Sequence, residues 1–294
     1  VLIARLIAEP DTLAASLEAA TAQMEAGGVR VASAAMLDFC DRTLQIGSPD
    51  DDAAVLRAAI EAHFTRCDAL ISIDEPQVPH VFVSDMDSTM IGQECIDELA
   101  DFAGIKPQIA AITERAMRGE LDFEAALRER VGLLAGLDED AIRQCLDQRI
   151  RPVDGAATLV ATLKAKGCHT VLVTGGFHNF ADPVAEMLGF DHVVANSLDI
   201  SGGKLSGTLT GPITDSAVKK ATLLAELDKL GDAAVSLVTG DGANDIPMLE
   251  AATYGIAYHA KPKARAASDG WIDRGDLTSV LRLLGIDEQD WVRR

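Results

Sequence analysis

Asp85 and Asp87 stand two residues apart at the end of the apolar run Val81-Phe82-Val83, with Ser88-Thr89 directly after them. A carboxylate carried at the end of a buried strand can act as a nucleophile, and a second one beside it can pass protons. Three distant pieces have related chemistry. Val173-Thr174-Gly175-Gly176 is a strand ending in a hydroxyl and glycines, whose N–H groups can cradle phosphate oxygens. Lys219 opens a helix pattern, and Thr239-Gly240-Asp241-Gly242-Ala243-Asn244-Asp245 ends another strand in two more acids. Carboxylates brought together this way repel one another unless a cation sits among them, and oxygen-only donors suit Mg²⁺. The chemistry they point to is phosphoryl transfer. Asp85 attacks phosphorus, Asp87 protonates the leaving oxygen and later deprotonates water, and Mg²⁺ with Lys219 lets an anionic group approach. Lys219 and Lys220 are adjacent, so position alone does not separate them; Lys219 is favoured.

These residues need a sheet that carries their strands side by side, with ligands bound beyond the strands' carboxyl ends. From His80 onward, short β-branched runs (Val81–Val83, Thr170–Val173, Val235–Val238, and more weakly Asp191–Ala195 and Tyr254–Ala257) alternate with helix patterns at Phe180–Leu188, Ser216–Leu230 and Ile246–Ala252. That rhythm predicts an α/β fold with a mostly parallel sheet covered on both faces. Leu198–Gly211, with Gly202-Gly203 at its middle, reads as a hairpin. Residues 94–160 break the alternation with helix patterns at Glu94–Phe102, Pro107–Met117, Phe123–Leu134 and Glu139–Arg149, and are expected to form a helical cap. Residues 1–76 read as β-α-β-β-α-β, a ferredoxin-like α+β order with strands at Val1–Ile7, Val29–Ala35, Met36–Ile46 and Ala69–Ile73. The polar, proline-broken stretch 74–79 is the linker.

The chain has 294 residues, a length that suits two domains, and 26 basic against 46 acidic residues give a net charge of −20. Such a field disfavours nucleic acid and anionic membrane surfaces as partners, while leaving room for a small anionic substrate in a locally cationic pocket. Cys40, Cys67, Cys95, Cys145 and Cys168 are scattered and odd in number, which fits inert thiols in a reducing compartment better than disulfides or zinc. The segment Val1–Ile7 is broken by Arg5 and reads as a strand, not a leader. With no apolar run long enough to span a membrane, the expectation is a soluble, cytoplasmic protein. His178 and His259 lack metal-ligand spacing and read as structural, and Met117 and Phe123 read equally as packing or as specificity elements.

In this order, the D-x-D-S-T, T-G-G, Lys and G-D-G-x-N-D pieces resemble the haloacid dehalogenase superfamily of phosphotransferases. Within it, the phosphoserine phosphatases are the closer likeness. Glu94, Met117-Arg118-Gly119, Phe123, Arg130-Val131, Val173–Phe177 and Tyr258-His259-Ala260-Lys261-Pro262 carry that likeness, which covers about residues 80–285. The resemblance implies a Rossmann-like domain over 80–294 with its helical cap at about 94–160. It implies Asp85 as nucleophile and Asp87 as acid/base, with Mg²⁺ held at Asp85, Asp87 (through its backbone carbonyl) and Asp241. It further implies that Glu94 meets a substrate ammonium and Arg130 a carboxylate, while Thr174, Gly175, Lys219 and Asn244 face the phosphate. A serine more often stands where Thr174 is; the hydroxyl is kept.

The implied reaction is Mg²⁺-dependent hydrolysis of O-phospho-L-serine to L-serine and phosphate, the last step of serine biosynthesis. The substrate's three charges match a cation cluster, Glu94 and Arg130 in turn, and Arg suits a bidentate carboxylate grip. The first 76 residues resemble ACT-type modules, whose role here could be amino-acid binding, a homodimer contact or packing. Rival readings are a phosphatase for another small monoester, a phosphotransferase passing the group to an alcohol, or an amino-acid sensor with a vestigial phosphatase half. The intact acid set argues against the last.

Overall fold

The computed structural model describes residues 1–40 and 42–294, with the backbone alone described at Met117. Part of the expected strand Met36–Ile46, at residue 41, and the packing expected of the Met117 side chain therefore lie outside the described residues.

The elements over the N-terminal stretch are β1 (Leu2–Ile7), α1 (Leu13–Ala26), β2 (Ser33–Met36), β3 (Thr43–Ser48), α2 (Ala53–His63) and β4 (Asp68–Ile73). The expected order is present, but β2 and β3 are displaced from the expected spans. Leu37 N–H donates to Thr43 O and Cys40 N–H to Leu37 O, so a turn occupies residues that the apolar pattern assigned to strand. Then come β5 (Val81–Ser84), α3 (Cys95–Phe102), α4 (Lys106–Met117), α5 (Phe123–Gly132), α6 (Asp140–Arg149) and α7 (Ala156–Ala165). They are followed by β6 (His169–Phe177), α8 (His178–Leu188), β7 (His192–Ser201), β8 (Lys204–Thr210), α9 (Ser216–Leu230) and β9 (Ser236–Gly240). The chain closes with α10 (Ile246–Leu249), β10 (Tyr254–Tyr258), α11 (Pro262–Ala267), β11 (Gly270–Ile272) and α12 (Thr278–Leu283).

Among the described residues, eleven strands form one sheet in the order β2-β3-β1-β4-β11-β10-β9-β5-β6-β7-β8. The run from β11 through β7 is parallel, and β5 and β9 are buried along their whole length. Continuous Val/Leu/Phe runs make such strands, because helices cover both faces and no alternation is required. β5 lies between β6 and β9, with Ser84 paired to Leu172 on one side and Thr239 on the other. The chain leaves β5 for β6 in one direction and returns to β9 in the other, which opens a crevice at the carboxyl ends. Asp85, Thr174 and Asp241 all emerge there.

The N-terminal strands are antiparallel, and β4 pairs antiparallel with β11, so they extend the same sheet. Trp271 on β11 is buried in the N-terminal core and donates from Nε1 to Cys67 O. The Arg57 and Arg265 guanidinium carbons stand 4.7 and 4.6 Å from its ring centroid, a cation–π sandwich across the seam.

Helices α3–α6 form the insert between β5 and β6, while α7 packs on β6, α8 and α12. Asp122 caps α5 by accepting from Ala125 N. The expected hairpin is the outer half of β7 with β8, turning at Gly202-Gly203. It ties the insert to the sheet edge: Gly136 N donates to Leu205 O, Leu205 N to Leu137 O and Glu139 N to Gly203 O. Among the described residues, no helix is long and apolar enough to cross a membrane.

Candidate active site

A cavity of about 360 Å³ lies between the insert and the strand ends, and Asp85, Asp87, Glu94, Arg130, Thr174, Gly175, Asp241 and Asn244 all line it. Seven of the eight expected substrate and catalytic positions therefore share one cavity with the expected metal position Asp241. The eighth, Lys219, lies just beneath and reaches Asp85 directly.

Asp85 is fixed from two sides. Its Oδ1 accepts from Met86 N at 2.8 Å and lies 2.7 Å from Lys219 Nζ. Lys219 is buried and also stands 2.7 Å from Asp245 Oδ1, so one ammonium bridges two carboxylates. Asp215 caps α9 by accepting from Val218 N, which places Lys219 in the helix's first turn. Lys220, next in sequence, is exposed. Burial works against the Lys219 charge, but the facing carboxylates of Asp85 and Asp245 outweigh it and hold the amine above its ordinary range. Burial, then the Asp245 charge, pushes Asp85 well above the usual carboxylate range, with Lys219 opposing.

The sequence marks Asp245 only as one more acid at a strand end, and the structure gives it work. Its Oδ2 accepts from the backbone N–H of Asp241 and Gly242 at 3.1 and 3.0 Å, while Oδ1 takes Lys219. A four-residue spacing within one loop carries no signal for this: an acid there can face solvent or its own backbone. Gly240 is required for the fit, since a Cβ would stand 2.6 Å from Asp245 Cβ. Lys261 was also not singled out by its chemistry; it lines the cavity, 3.4 Å from Asp241 Oδ2.

Asp87 is half-buried, and its buried Oδ1 lacks a hydrogen-bond partner among the described atoms. Burial, then the Glu94 charge, pushes its carboxyl up to about 7, a range in which it can both give and accept a proton. Glu94 is raised mainly by burial and accepts from Ser88 Oγ at 2.8 Å. Arg130, in the last turn of α5, is partly buried, and its Nε donates to Ala126 O at 3.4 Å. Glu94 and Arg130 thus stand on the α3 and α5 sides of the lid with opposite charge.

The carboxyl end of β6, where its register shifts between Val173 and Phe177, faces the cavity. Thr174 Oγ1 accepts from Gly176 N at 2.9 Å, and buried Asn196 donates to Gly175 O at 2.8 Å while accepting from Thr214 N. The Phe123 ring closes over this strand end, and a Cβ at Gly175 would stand 3.2 Å from it. His178 pairs with Asp182, and His259 contacts Gly275 O and the Tyr258 ring, so neither faces a metal site. All five cysteines are free and buried.

Asp85, Asp241 and Asp245 offer oxygens within 4.8 Å of one another, all buried. The donors are hard oxygens, burial raises the Asp85 and Asp241 carboxyls, and Lys219 and Lys261 offset part of the charge. Such a set fits a divalent cation, and the orphaned Asp87 Oδ1 marks the same pocket as built for a further polar group.

Residues 82–250 match the family of haloacid dehalogenase-like hydrolases, and the chain belongs to it. Phosphatases of this family generally use a divalent metal. The phosphoserine phosphatase of Haemophilus influenzae is 41% identical over 210 residues, covering 71% of this chain and 67% of that one. The phosphoserine phosphatase of Saccharomyces cerevisiae is 38% identical over 243 residues, covering 81% and 78%. A haloacid-dehalogenase-family hydrolase from Salmonella enterica serovar Typhi superposes with a TM-score of 0.81 at 29% identity, covering 96% of this chain and 98% of its own.

Proposed function

We propose that the chain hydrolyses O-phospho-L-serine to L-serine and phosphate through a phosphoryl group carried on Asp85. The observation that carries this reading is the single cavity in which Asp85 and Asp87 lie beside the Thr174-Gly175-Gly176 end of β6, with Glu94 and Arg130 supplying the two further charges an amino acid needs.

In this reading Asp85 Oδ1 stays with Lys219 and Met86 N, and Oδ2 attacks phosphorus. The bond from phosphorus to the serine oxygen breaks as Asp87 gives that oxygen its proton. Serine leaves with both electrons of the broken bond. Asp87, now a carboxylate, takes a proton from water. The hydroxyl attacks phosphorus, the bond to Asp85 breaks, and phosphate is released. Thr174, the Gly175 amide, Lys219 and Asn244 hold the phosphoryl oxygens, and Phe123 helps exclude water. A divalent ion, Mg²⁺ in this reading, would be held by Asp85, Asp241 and the Asp87 backbone carbonyl beside Asp245, and would supply charge neutralisation to the phosphoryl oxygens.

The test is a panel of small phosphate monoesters assayed with Mg²⁺ and after chelation. Phosphoserine should be the preferred substrate, with activity lost in chelator and restored by Mg²⁺. Equal rates across esters that lack the amino and carboxylate groups would overturn the substrate assignment.

Arg130→Ala should raise KM for phosphoserine by about 10- to 100-fold, the worth of a charged hydrogen bond of roughly 1.5–3 kcal/mol. Hydrolysis of an ester without a carboxylate should change far less. Comparing KM for the two substrates in the two proteins checks this.

We assign residues 80–294 to the phosphatase domain, with the helical insert as its lid, and residues 1–76 to an ACT-like module. The β-α-β-β-α-β order and the antiparallel sheet order β2-β3-β1-β4 support that assignment. A homodimer contact through this module fits the exposed edge strand β2, whose four residues face solvent and carry no charge. Cytoplasmic residence is supported by the five free thiols.

A further inference from the structure

Asn196 follows Val193-Val194-Ala195 on β7 and is 1% exposed, a buried amide at the end of an apolar run. Strand β6 pairs with β7 through Val173 and Val194, and again through Phe177 and Asn196. Three residues of β6, Thr174, Gly175 and Gly176, therefore lie against the one residue Ala195. They bulge from the ladder, and all three line the cavity. Asn196 closes the bulge. Its Nδ2 donates to Gly175 O and its Oδ1 accepts from Thr214 N, both at 2.8 Å. A carbonyl on one side and an N–H on the other leave the amide one orientation that satisfies both.

We infer that Asn196 is a positioning residue for the phosphoryl group, acting through the Gly175–Gly176 peptide and the Thr174 hydroxyl; this rests on the phosphatase reading of the cavity. The peptide is trans, so its carbonyl and its N–H point opposite ways. Asn196 takes the carbonyl end. At the other end Gly176 N donates to Thr174 Oγ1 at 2.9 Å. With one lone pair of Oγ1 committed to that amide, the hydroxyl keeps its own proton to give to a phosphoryl oxygen in the cavity.

A clamp is needed because both residues of this peptide are glycine. A Cβ at Gly176 would stand 3.2 Å from Thr174 Oγ1 and from Met86 Cε, so the close approach disfavours a side chain. Two glycines in a row also let the peptide plane turn over with little steric resistance. Turned over, Gly175 O would stand where Gly176 N–H now points, and the Thr174 hydroxyl would give its proton to that carbonyl instead. The bond from Asn196 Nδ2 opposes this.

The second bond reaches the other side of the phosphoryl site. Thr214 precedes Asp215, which caps α9 and sets Lys219 in its first turn. One amide thus joins the end of β6 to the start of the helix that carries the lysine.

The experiment compares kcat/KM of the full chain and of Asn196→Asp for phosphoserine and for p-nitrophenyl phosphate, with Mg²⁺ throughout. The aspartate is nearly isosteric and keeps an acceptor for Thr214 N, but its carboxylate cannot donate to Gly175 O. On both esters kcat/KM should fall by a common factor of about 10- to 100-fold, the worth of a hydrogen bond to a charged group. The ratio between the esters, which reports Glu94 and Arg130, should hold; a generally loosened site would move it. Asn196→Ala, which removes both bonds, should show the same pattern, and melting curves check both folds. In a Thr174→Ala background, Asn196→Asp should cost less than about 3-fold further, because the hydroxyl it orients is already gone. Losses at the two positions that simply multiply, or full activity in Asn196→Ala, would overturn the inference. Failure of the substrate assignment looks different: the parent then shows no preference for phosphoserine, while the loss on p-nitrophenyl phosphate persists and supports the role of Asn196.

Discussion

Asp85→Asn is expected to lower phosphoserine turnover by about 10⁴-fold or more, the scale on which removal of a nucleophile acts. An amide oxygen in place of the carboxylate cannot form the acyl phosphate. The variant should nevertheless fold. Ionised Asp85 is costly where it stands, because burial and the Asp245 charge both oppose it, and Lys219 keeps its 2.7 Å partner in Asp245. Phosphate release and a melting curve on the same preparation check both halves. More than about 1% residual turnover would remove Asp85 from the nucleophile's role.

Lys219→Met should damage both activity and stability. The buried ammonium is the shared cation of Asp85 and Asp245, and removing it leaves two buried carboxylates face to face. Breaking a buried pair by deleting one partner costs about 3–5 kcal/mol. In chelator this should lower the melting temperature on the order of 10 °C. The loss of the positive charge beside Asp85 should reduce turnover by about 10³-fold. Lys220→Met is the matched control: that side chain is exposed, and stability should move by less than about 0.5 kcal/mol. Equal effects at the two positions would contradict the assignment of Lys219.

The residues at strand ends were the most legible part of the sequence. Asp85, Thr174 and Asp241 each follow an apolar run, and once three such runs lie parallel, their ends must meet. Glu94 and Arg130 were legible through the resemblance, since a glutamate before one helix and an arginine near the end of another carry little meaning alone. The work done by Asp245 and Lys261 was not legible, because it depends on a loop folding back on its own amides. In the fold, β11 escaped notice: Gly270-Trp271-Ile272 is too short to show a period. Its pairing with β4 joins residues 200 positions apart, Leu70 to Gly270, and no local pattern announces such a contact. The turn between β2 and β3 was hidden for the opposite reason, since apolar Leu37 and Cys40 close it and read as strand.

The pairing of β4 with β11 has a consequence for how the chain can be handled. Cleavage near Pro76 would strip one ladder from β11, uncover Trp271, and take Arg57 away from the ring that Arg265 still faces. A shortened protein would carry a raw, aromatic sheet margin prone to self-association. The first 76 residues thus serve as the casing of the catalytic half as well as its neighbour, and the two should melt together in one cooperative step.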